Sequence, residues 1–202
     1  MNDFNTAEDW VQLYERRGTD ISEHLRTLGR LAEGCGHVTE LGVRWVCSSF
    51  GLMLGRPKTL LSIDVNPVNP EMLAELTRIA AGQGTEFRFV QDNVLTTNEI
   101  NETDLLFIDT LHSYKQLKTE LYLHSSKVKK YIIMHDTVSF GNQDEGQVDL
   151  SVLPRETAEM IDALPRRQGL LAAIDEFLAV HTEWSVQEHH TNNNGLMVLT
   201  RK

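Results

Sequence analysis

Two short runs of almost continuous apolar residues constrain the fold most, 104–109 (DLLFID) and 131–136 (YIIMHD). A strand has this composition when helices cover both faces of its sheet, as they do in parallel sheets. Strand-like runs at 38–41, 59–65 and 86–90 are separated by segments in which apolar residues recur at helical spacing. The alternation predicts an α/β domain whose sheet is mainly parallel, with right-handed crossovers between its strands.

The end of the chain departs from this alternation. Residues 184–187 and 195–199 have the composition of strands and are joined through the run 192–195 (NNNG). Because Asn and Gly tolerate positive φ, this run predicts a turn between antiparallel strands. Helices are predicted at 5–17, 20–32, from Gly42 to Gly55, 69–81, 113–127 and 169–180, with Thr6, Asp20 and Asn69 as N-caps.

The segment 138–168 is the longest interruption of the pattern. It is polar and contains glycine in its first part, and Pro154 and Pro165 interrupt the rest, so it predicts a long loop with a short helix at 155–163. Long loops in compact domains are usually functional lids or disordered, and a position directly after a site-bearing strand favours a lid. We expect one domain over residues 1–202, with the helices of 1–36 preceding the sheet.

Composition excludes several classes of protein. The formal charge of −10 and pI near 5.2 argue against a surface that tracks nucleic-acid phosphates. No apolar run approaches the roughly 20 residues that span a bilayer, and the N-terminus lacks the layout of a signal peptide. Cys35 and Cys47 have no metal-ligand spacing and are expected to be reduced thiols in a cytoplasmic protein.

The first strand leads into a glycine turn at Gly42. A dinucleotide site would have glycines at the first, third and sixth positions, but Arg44 and Cys47 occupy the third and sixth here. Glu40 lies just before the glycine, and Asp64 closes the next strand, where an acid can accept both hydroxyls of a ribose. A cationic nucleoside without phosphate fits these features, and S-adenosylmethionine is the common example.

Polar residues follow every central strand: Glu40, Asp64, Asp92 with Asn93, Asp109 with His112, and His135 with Asp136. The carboxyl ends of parallel strands share one edge of the sheet, so we expect these side chains to converge, although single acids at strand ends also cap helices. Asp109 and Asp136 would repel each other unless a cation or a shared proton lies between them. A divalent metal with His135 or His112 as nitrogen ligand and a metal-free carboxylate–histidine hydrogen bond both remain open. His112, one helical turn after Asp109, is the candidate general base.

These residues resemble a known family. The runs 40–44 (ELGVR), 107–114 (FIDTLHSY) and 132–137 (IIMHDT), with Ser48 and Asp64, are similar to class I S-adenosylmethionine-dependent methyltransferases. The likeness is to the branch of cephalosporin hydroxylase-like and sugar- or macrolide-modifying O-methyltransferases, and it extends over roughly residues 38–200. It implies a Rossmann-like three-layer sandwich with a seven-stranded, mainly parallel sheet ending in an antiparallel hairpin.

The resemblance also implies roles for residues. Glu40, Gly42 and Ser48 would surround the methionine part of the cofactor, Asp64 would hold the ribose, and Asp92 with Asn93 would border the adenine. Metal-binding relatives hold Mg at the positions of Asp109, His135 and Asp136, although they often carry an acid in place of His135. Relatives also often carry glycine in place of Val46.

The expected activity is methyl transfer to a hydroxyl of a sugar or small molecule. His112 or Asp109 would take the proton of the hydroxyl. Mg or Mn, if bound, would assist by lowering the pKa of that hydroxyl. The expected partner is this acceptor. We expect no binding to nucleic acid or to a membrane, and the sequence is compatible with a homo-oligomer. Two alternatives are a nicotinamide-dependent oxidoreductase, which the missing glycines disfavour, and a non-catalytic nucleoside-binding domain.

Overall fold

A seven-stranded sheet with helices on both faces forms the centre of the computed structural model, which describes residues 4–202. The strand order is β3-β2-β1-β4-β5-β7-β6; β1 to β5 are mutually parallel, and β7 is antiparallel to β5 and β6. The predicted Rossmann-like fold is confirmed. The strands are β1 His37–Leu41, β2 Thr59–Asp64, β3 Glu86–Gln91, β4 Thr103–Ile108, β5 Val128–His135, β6 Trp184–His190 and β7 Leu196–Arg201.

Apolar side chains of one strand enter two separate cores. In β4, Leu105 and Phe107 pack on one face of the sheet, and Leu106 and Ile108 pack on the other. All four are buried, as expected for a strand covered on both faces. The helices are α1 Ala7–Arg17, α2 Leu25–Ala32, α3 Cys47–Met53, α4 Pro70–Gln83, α5 Tyr114–His124, α6 Arg155–Asp162 and α7 Leu170–Val180. Within residues 4–202, none of the helices combines the length and apolar character that crossing a bilayer requires.

Two of the three predicted N-caps are confirmed. Thr6 forms a reciprocal capping box with Asp9, and Asn69 caps α4 with Pro70 in its first turn. The prediction of Asp20 as a cap is wrong, because a 3₁₀ turn at Ser22–His24 precedes α2.

Contacts with the β6–β7 turn explain the missing cap. The side-chain amides of Asn193 and Asn194 donate to the carbonyls of Thr19 and Asp20, and the Asn193 side chain accepts from the amide of Glu23. These contacts hold the backbone before α2 outside helical geometry. The turn itself is formed as predicted, since Asn193, Asn194 and Gly195 all have positive φ.

The 138–168 segment lies over the carboxyl end of the sheet and includes α6 and a 3₁₀ turn at Leu150–Val152. One oxygen of Asp144 accepts hydrogen bonds from the amides of Tyr114 and Gly169, both at 2.8 Å. The segment is therefore attached to the start of α5 and to the residue before α7. This attachment places residues 145–153 beside the ends of β4 and β5.

Candidate functional site

A hollow of about 870 Å³ opens at the carboxyl ends of the central strands. This volume is within the usual range for ligand sites of about 300–1,000 Å³, and the position beside the strand ends is the usual one in open α/β sheets. The turns after β1, β2, β3 and β4 contribute lining residues 42–48, 64–69, 93–95 and 109–112. Asp136 and parts of the 138–168 segment complete the wall.

The glycine turn after β1 brings two backbone segments together. Gly42 has φ +83°, and a Cβ placed there would lie 2.0 Å from the carbonyl oxygen of Asp109. Only glycine combines this φ with so close an approach. Arg44 and Val46, with φ of 43° and 58°, are also left-handed. This conformation is costly for a β-branched residue, and the Val46 side chain is nevertheless fully buried in the core.

Asp64 lies at the wall of the hollow and holds the glycine turn in shape. One carboxylate oxygen accepts from the amides of Val43 at 2.8 Å and Arg44 at 3.1 Å. The other accepts from the amide of Asn66 at 2.8 Å. A ribose hydroxyl that donated to the Asp64 carboxylate would therefore share this acceptor with the amides of the glycine turn.

The six predicted cofactor residues divide into two groups. Gly42, Ser48, Asp64 and Asn93 line the hollow. Glu40 and Asp92 are not among its lining residues, and the amide of Asn93 donates to the Asp92 carboxylate at 2.8 Å. The binding roles of all six remain predictions.

Glu40 is fully buried beneath the hollow. The hydroxyls of Ser48 and Ser49 donate to its carboxylate at 2.6 and 2.7 Å, and Ser62 of β2 donates as well. Burial raises the pKa of Glu40 to about 7, and the three serine hydrogen bonds only partly oppose this rise. Glu40 thus ties β1 to β2 and to the start of α3.

Asp109, His112 and Asp136 form an acid–imidazole group at the opposite wall. The His112 Nε2 lies 3.1 Å from Asp109 Oδ1 and 3.1 Å from Asp136 Oδ2. Burial lowers the pKa of His112, but the adjacent carboxylates outweigh it and raise the pKa. Burial alone would raise the pKa of Asp109, and the two neighbouring imidazoles reverse this and lower it. The predicted convergence of Asp109 and Asp136 is present.

His135 lies below this group and outside the hollow. It is 1% exposed, and its Nε2 donates to the carbonyl oxygen of Asn193 at 3.1 Å. Its Nδ1 lies 3.4 Å from Asp109 Oδ1 and 3.2 Å from Asp136 Oδ2 without hydrogen-bond geometry. The two carboxylates outweigh the effect of burial and raise the pKa of His135 to about 10.

Three side chains of this region can offer metal-ligand atoms that all lie within 4.8 Å of one another: Asp109, His112 and Asp136. This set, found among residues 4–202, has His112 where the resemblance placed His135. Two carboxylates and an imidazole suit Mn, Fe or Zn better than Mg, which prefers oxygen ligands. His135 is not part of this set. Its pKa of about 10 keeps the imidazole protonated near neutral pH, and a protonated ring nitrogen cannot bind a metal.

Sequence reasoning assigned no role to three side chains that surround His112 and its loop. Glu145 accepts from the His112 Nδ1 at 2.9 Å, and the Phe140 ring stacks on the imidazole at 5.1 Å with an interplanar angle of 2°. Fully buried Glu120 accepts from the Thr110 hydroxyl and the Gln116 amide. A glutamate four residues after Gln116 on a helix face was a usable signal for Glu120, but no local pattern marks Glu145.

No family model and no curated protein matches the sequence. Among solved structures, the O-methyltransferase from Bacillus cereus in complex with SAH is 14% identical with a TM-score of 0.60, covering 100% of this chain and 93% of that one. Magnesium protoporphyrin IX methyltransferase from Synechocystis PCC 6803 with bound SAH is 15% identical with a TM-score of 0.58, covering 98% and 96%. The N-methyltransferase NodS from Bradyrhizobium japonicum WM9 is 13% identical with a TM-score of 0.52, covering 90% and 96%.

These likenesses show that the chain has the fold of these methyltransferases. The three proteins include an O-methyltransferase and an N-methyltransferase, so the fold by itself does not determine the acceptor atom. The acceptor has to be argued from the hollow of this chain.

Proposed function

We propose that the protein is an S-adenosylmethionine-dependent O-methyltransferase. The observation that carries the proposal is a hollow with two different walls. One wall has Asp64 and a glycine turn that lacks the further glycines of a dinucleotide site, and the other has the Asp109–His112–Asp136 group. The first wall suits a cationic nucleoside, and the second suits removal of a proton from a hydroxyl. Two of the solved structures with this fold contain SAH, the demethylated form of that cofactor.

Charge in the hollow disfavours an anionic acceptor, and the acceptor we propose is a sugar or another small hydroxyl compound without negative charge. The acidic lining residues are Asp20, Asp64, Asp109, Asp136, Glu145 and Asp149. Arg44 is the only lysine or arginine among the described lining residues, and its guanidinium is 3.7 Å from the Asp20 carboxylate. A phosphate or carboxylate on the acceptor would meet like charges without a free cation to pair with. The apolar side chains of Val148, Val152 and Leu153 offer a surface for the carbon face of the acceptor.

The reaction would be an in-line displacement in which the acceptor oxygen attacks the methyl carbon and the sulfonium leaves as a neutral thioether. The sulfonium is already reactive, so the protein mainly orients the two reactants and takes the hydroxyl proton. His112 and Asp109, whose Nε2 and Oδ1 are 3.1 Å apart, would share that proton. The raised pKa of His112 makes the imidazole the stronger base of the pair.

A divalent metal is the alternative means of activating the hydroxyl. The donors that would hold it are Asp109, His112 and Asp136, a set that fits Mn better than Mg. When bound, such an ion would lower the pKa of the acceptor hydroxyl. It would also occupy the nitrogen of His112 that otherwise accepts the proton, so the two modes exclude each other.

Cofactor binding is tested by titrating S-adenosylhomocysteine into the protein in a calorimeter. We expect binding by the wild type and a loss of about tenfold or more for Asp64→Asn, because a hydrogen bond to a charged group contributes about 1.5–3 kcal/mol. Asp175→Asn is the control, since Asp175 is an exposed residue of α7 that does not line the hollow.

Thermal unfolding of both variants shows whether the glycine turn survives the change. Equal losses of affinity in the two variants would contradict the ribose role of Asp64. Binding of NADH in place of S-adenosylhomocysteine would favour the oxidoreductase, and absence of heat with both ligands would refute the proposed function.

The proton acceptor is tested by His112→Ala in an assay of methyl transfer from labelled S-adenosylmethionine to neutral hydroxyl compounds. Loss of a positioned general base typically lowers the rate by about 10²–10⁴-fold, and we expect cofactor affinity to remain. His181→Ala removes a half-exposed imidazole outside the hollow and should leave the rate unchanged. A His112→Ala protein that methylates at the wild-type rate would exclude His112 as the base.

A further inference from the structure

Arg44 and Asp20 place opposite charges side by side at the wall of the hollow. Both residues line the hollow, and Arg44 Nη1 lies 3.7 Å from Asp20 Oδ2. Their side chains are 74% and 54% exposed, so other protein groups do not enclose them. Arg44 is the only lysine or arginine that lines the hollow among residues 4–202. A ligand in the hollow therefore meets a guanidinium next to a carboxylate at this point.

This ion pair is looser than the other arginine ion pairs in the described part of the chain. Those other pairs have separations of 2.6–2.9 Å between the guanidinium nitrogen and the carboxylate oxygen. The 3.7 Å between Arg44 and Asp20 is longer than an N–H···O hydrogen bond. An exposed ion pair of this kind contributes little free energy. Both partners can therefore accept charged groups of a ligand at low cost.

The backbone that carries each of the two side chains is held in place. The Arg44 amide donates to Asp64 Oδ2 at 3.1 Å. The side-chain amide of Asn194, from the turn between β6 and β7, donates to the carbonyl oxygen of Asp20 at 3.4 Å. The charged ends can adjust to a ligand, whereas their points of attachment stay at the wall of the hollow, which lowers the cost of ordering them on binding.

A ligand that carries both a carboxylate and an ammonium group matches this pair. A guanidinium binds a carboxylate through two parallel N–H donors, and a carboxylate side chain pairs with an ammonium group. An α-amino acid has both groups on one carbon, and S-adenosylmethionine ends in such an amino acid. Because the Arg44 amide donates to Asp64, the pair adjoins the wall at which the ribose is expected.

The three residues that the resemblance placed around the methionine part offer no positive charge. Glu40 is fully buried, does not line the hollow, and already accepts hydrogen bonds from three serine hydroxyls. The Ser48 hydroxyl is one of these donors, at 2.6 Å, and Gly42 has no side chain. A cation for the carboxylate of the amino acid therefore has to come from another residue, and Arg44 is the one at hand.

We propose that Arg44 and Asp20 bind the amino-acid end of the cofactor, with the guanidinium at its carboxylate and Asp20 at its ammonium group. This assignment rests on the proposed function, since it takes S-adenosylmethionine as the ligand. It deepens that function by naming the side chains that distinguish this cofactor from nucleosides without an amino acid. An anionic acceptor would then find Arg44 occupied.

Calorimetry with three adenosine thioethers tests the two contacts separately. S-adenosylhomocysteine carries both charged groups, its decarboxylated form keeps only the amine, and 5′-methylthioadenosine carries neither. We expect Arg44→Gln to weaken binding of S-adenosylhomocysteine by about 10- to 100-fold and not to weaken binding of the other two ligands. Asp20→Asn should weaken both ligands that carry the amine by about tenfold and leave 5′-methylthioadenosine unchanged.

Arg56→Gln provides the matched control. Arg56 is an exposed arginine with a left-handed φ of 52°, close to the 43° of Arg44, and it does not line the hollow. The control removes the same charge from a similar backbone conformation, so all three affinities should stay as in the wild type. A loss of S-adenosylhomocysteine binding as large as in Arg44→Gln would show that net charge, and not a contact, is responsible, and would overturn the proposal.

The pattern across the ligands separates this proposal from the proposed function. A wild type that binds no S-adenosylhomocysteine would refute the methyltransferase, and the assignment of the pair would fail with it. If the wild type binds S-adenosylhomocysteine and Arg44→Gln binds it equally well, the methyltransferase stands and the role of Arg44 is overturned. Equal losses for S-adenosylhomocysteine and 5′-methylthioadenosine in Arg44→Gln would also overturn that role, because the substitution would then act on the nucleoside wall. An unchanged affinity of Asp20→Asn for the decarboxylated ligand would overturn the role of Asp20.

Discussion

Gly42→Ala is expected to destabilise the protein by more than about 4 kcal/mol, a size reserved for substitutions with a specific steric or burial cause. An alanine Cβ would lie 2.0 Å from the carbonyl oxygen of Asp109 and 2.6 Å from its carbonyl carbon. Both atoms belong to the backbone, so no side-chain rotation can relieve the contact. The left-handed φ of +83° adds strain of about 1–2 kcal/mol for any residue with a Cβ.

Gly84→Ala separates these two contributions. Gly84 has a closely similar φ of +80°, and nothing lies within 4 Å of a Cβ placed there. This variant should therefore show only the conformational strain of about 1–2 kcal/mol. Urea unfolding of both variants measures the difference, and equal losses of stability would show that the contact with Asp109 is not limiting. Any Gly42→Ala protein that folds should also bind S-adenosylhomocysteine more weakly, because relief of the contact must displace Asp109 or the turn.

Glu40→Ala is the second large expected effect, a loss of about 3–5 kcal/mol, because each buried hydroxyl left without an acceptor costs about 1–3 kcal/mol. The substitution leaves a cavity and removes the carboxylate to which three buried hydroxyls donate. Glu40→Gln fills nearly the same volume and keeps one acceptor oxygen, so it should cost much less. Denaturant unfolding at pH 7 compares the two variants, and similar losses would mean that the carboxylate charge, and not the filled space, sets the stability.

The pH dependence of Glu40→Gln has a definite sign. The folded-state pKa of Glu40 is raised to about 7 from an ordinary value of 4.5. Its protonated form therefore contributes stability that is fully present below pH 4.5 and is lost as the pH rises to 7. At about 1.4 kcal/mol per pKa unit, this loss is about 3.5 kcal/mol at most. Glu40→Gln lacks this titration.

The stability of Glu40→Gln relative to the wild type should consequently increase between pH 5 and pH 8. Buried Glu120, whose pKa burial also raises to about 7, is present in both proteins, so its contribution cancels in the comparison. Urea unfolding at the two pH values gives the difference, and a constant offset would show that Glu40 has an ordinary pKa in the folded protein.

Local patterns determined the fold class and the position of the site. The apolar runs predicted strands buried on both faces, and Leu105 to Ile108 do alternate between two cores. Turn and cap chemistry located the hairpin at Asn193 and the start of α4 at Asn69. These features depend on side-chain periodicity and on φ preferences within a few residues, so one sequence is enough to predict them.

The direction of each polar side chain was decided by tertiary packing. Glu40 and Val38 share a face of β1, since side chains alternate along a strand. That face packs against α3, whose Ser48 and Ser49 donate hydrogen bonds to the Glu40 carboxylate. The two-residue spacing of Val38 and Glu40 predicts that they share a face, but it does not predict that serines of α3 would be the hydrogen-bond partners of Glu40. For the same reason a position at the end of a strand did not predict whether a side chain lines the hollow.

Contacts between distant segments decided the rest of the site. The Asn193 carbonyl, 58 residues away in sequence, orients His135 beneath the two carboxylates, and Glu145 reaches His112 from a segment whose course depends on the attachment of Asp144. The sequence by itself determined which strands end in acids and imidazoles. Only the tertiary structure decided which of these groups face one another, because hydrogen bonds between remote loops depend on the packed positions of whole elements and leave no periodic trace in the chain.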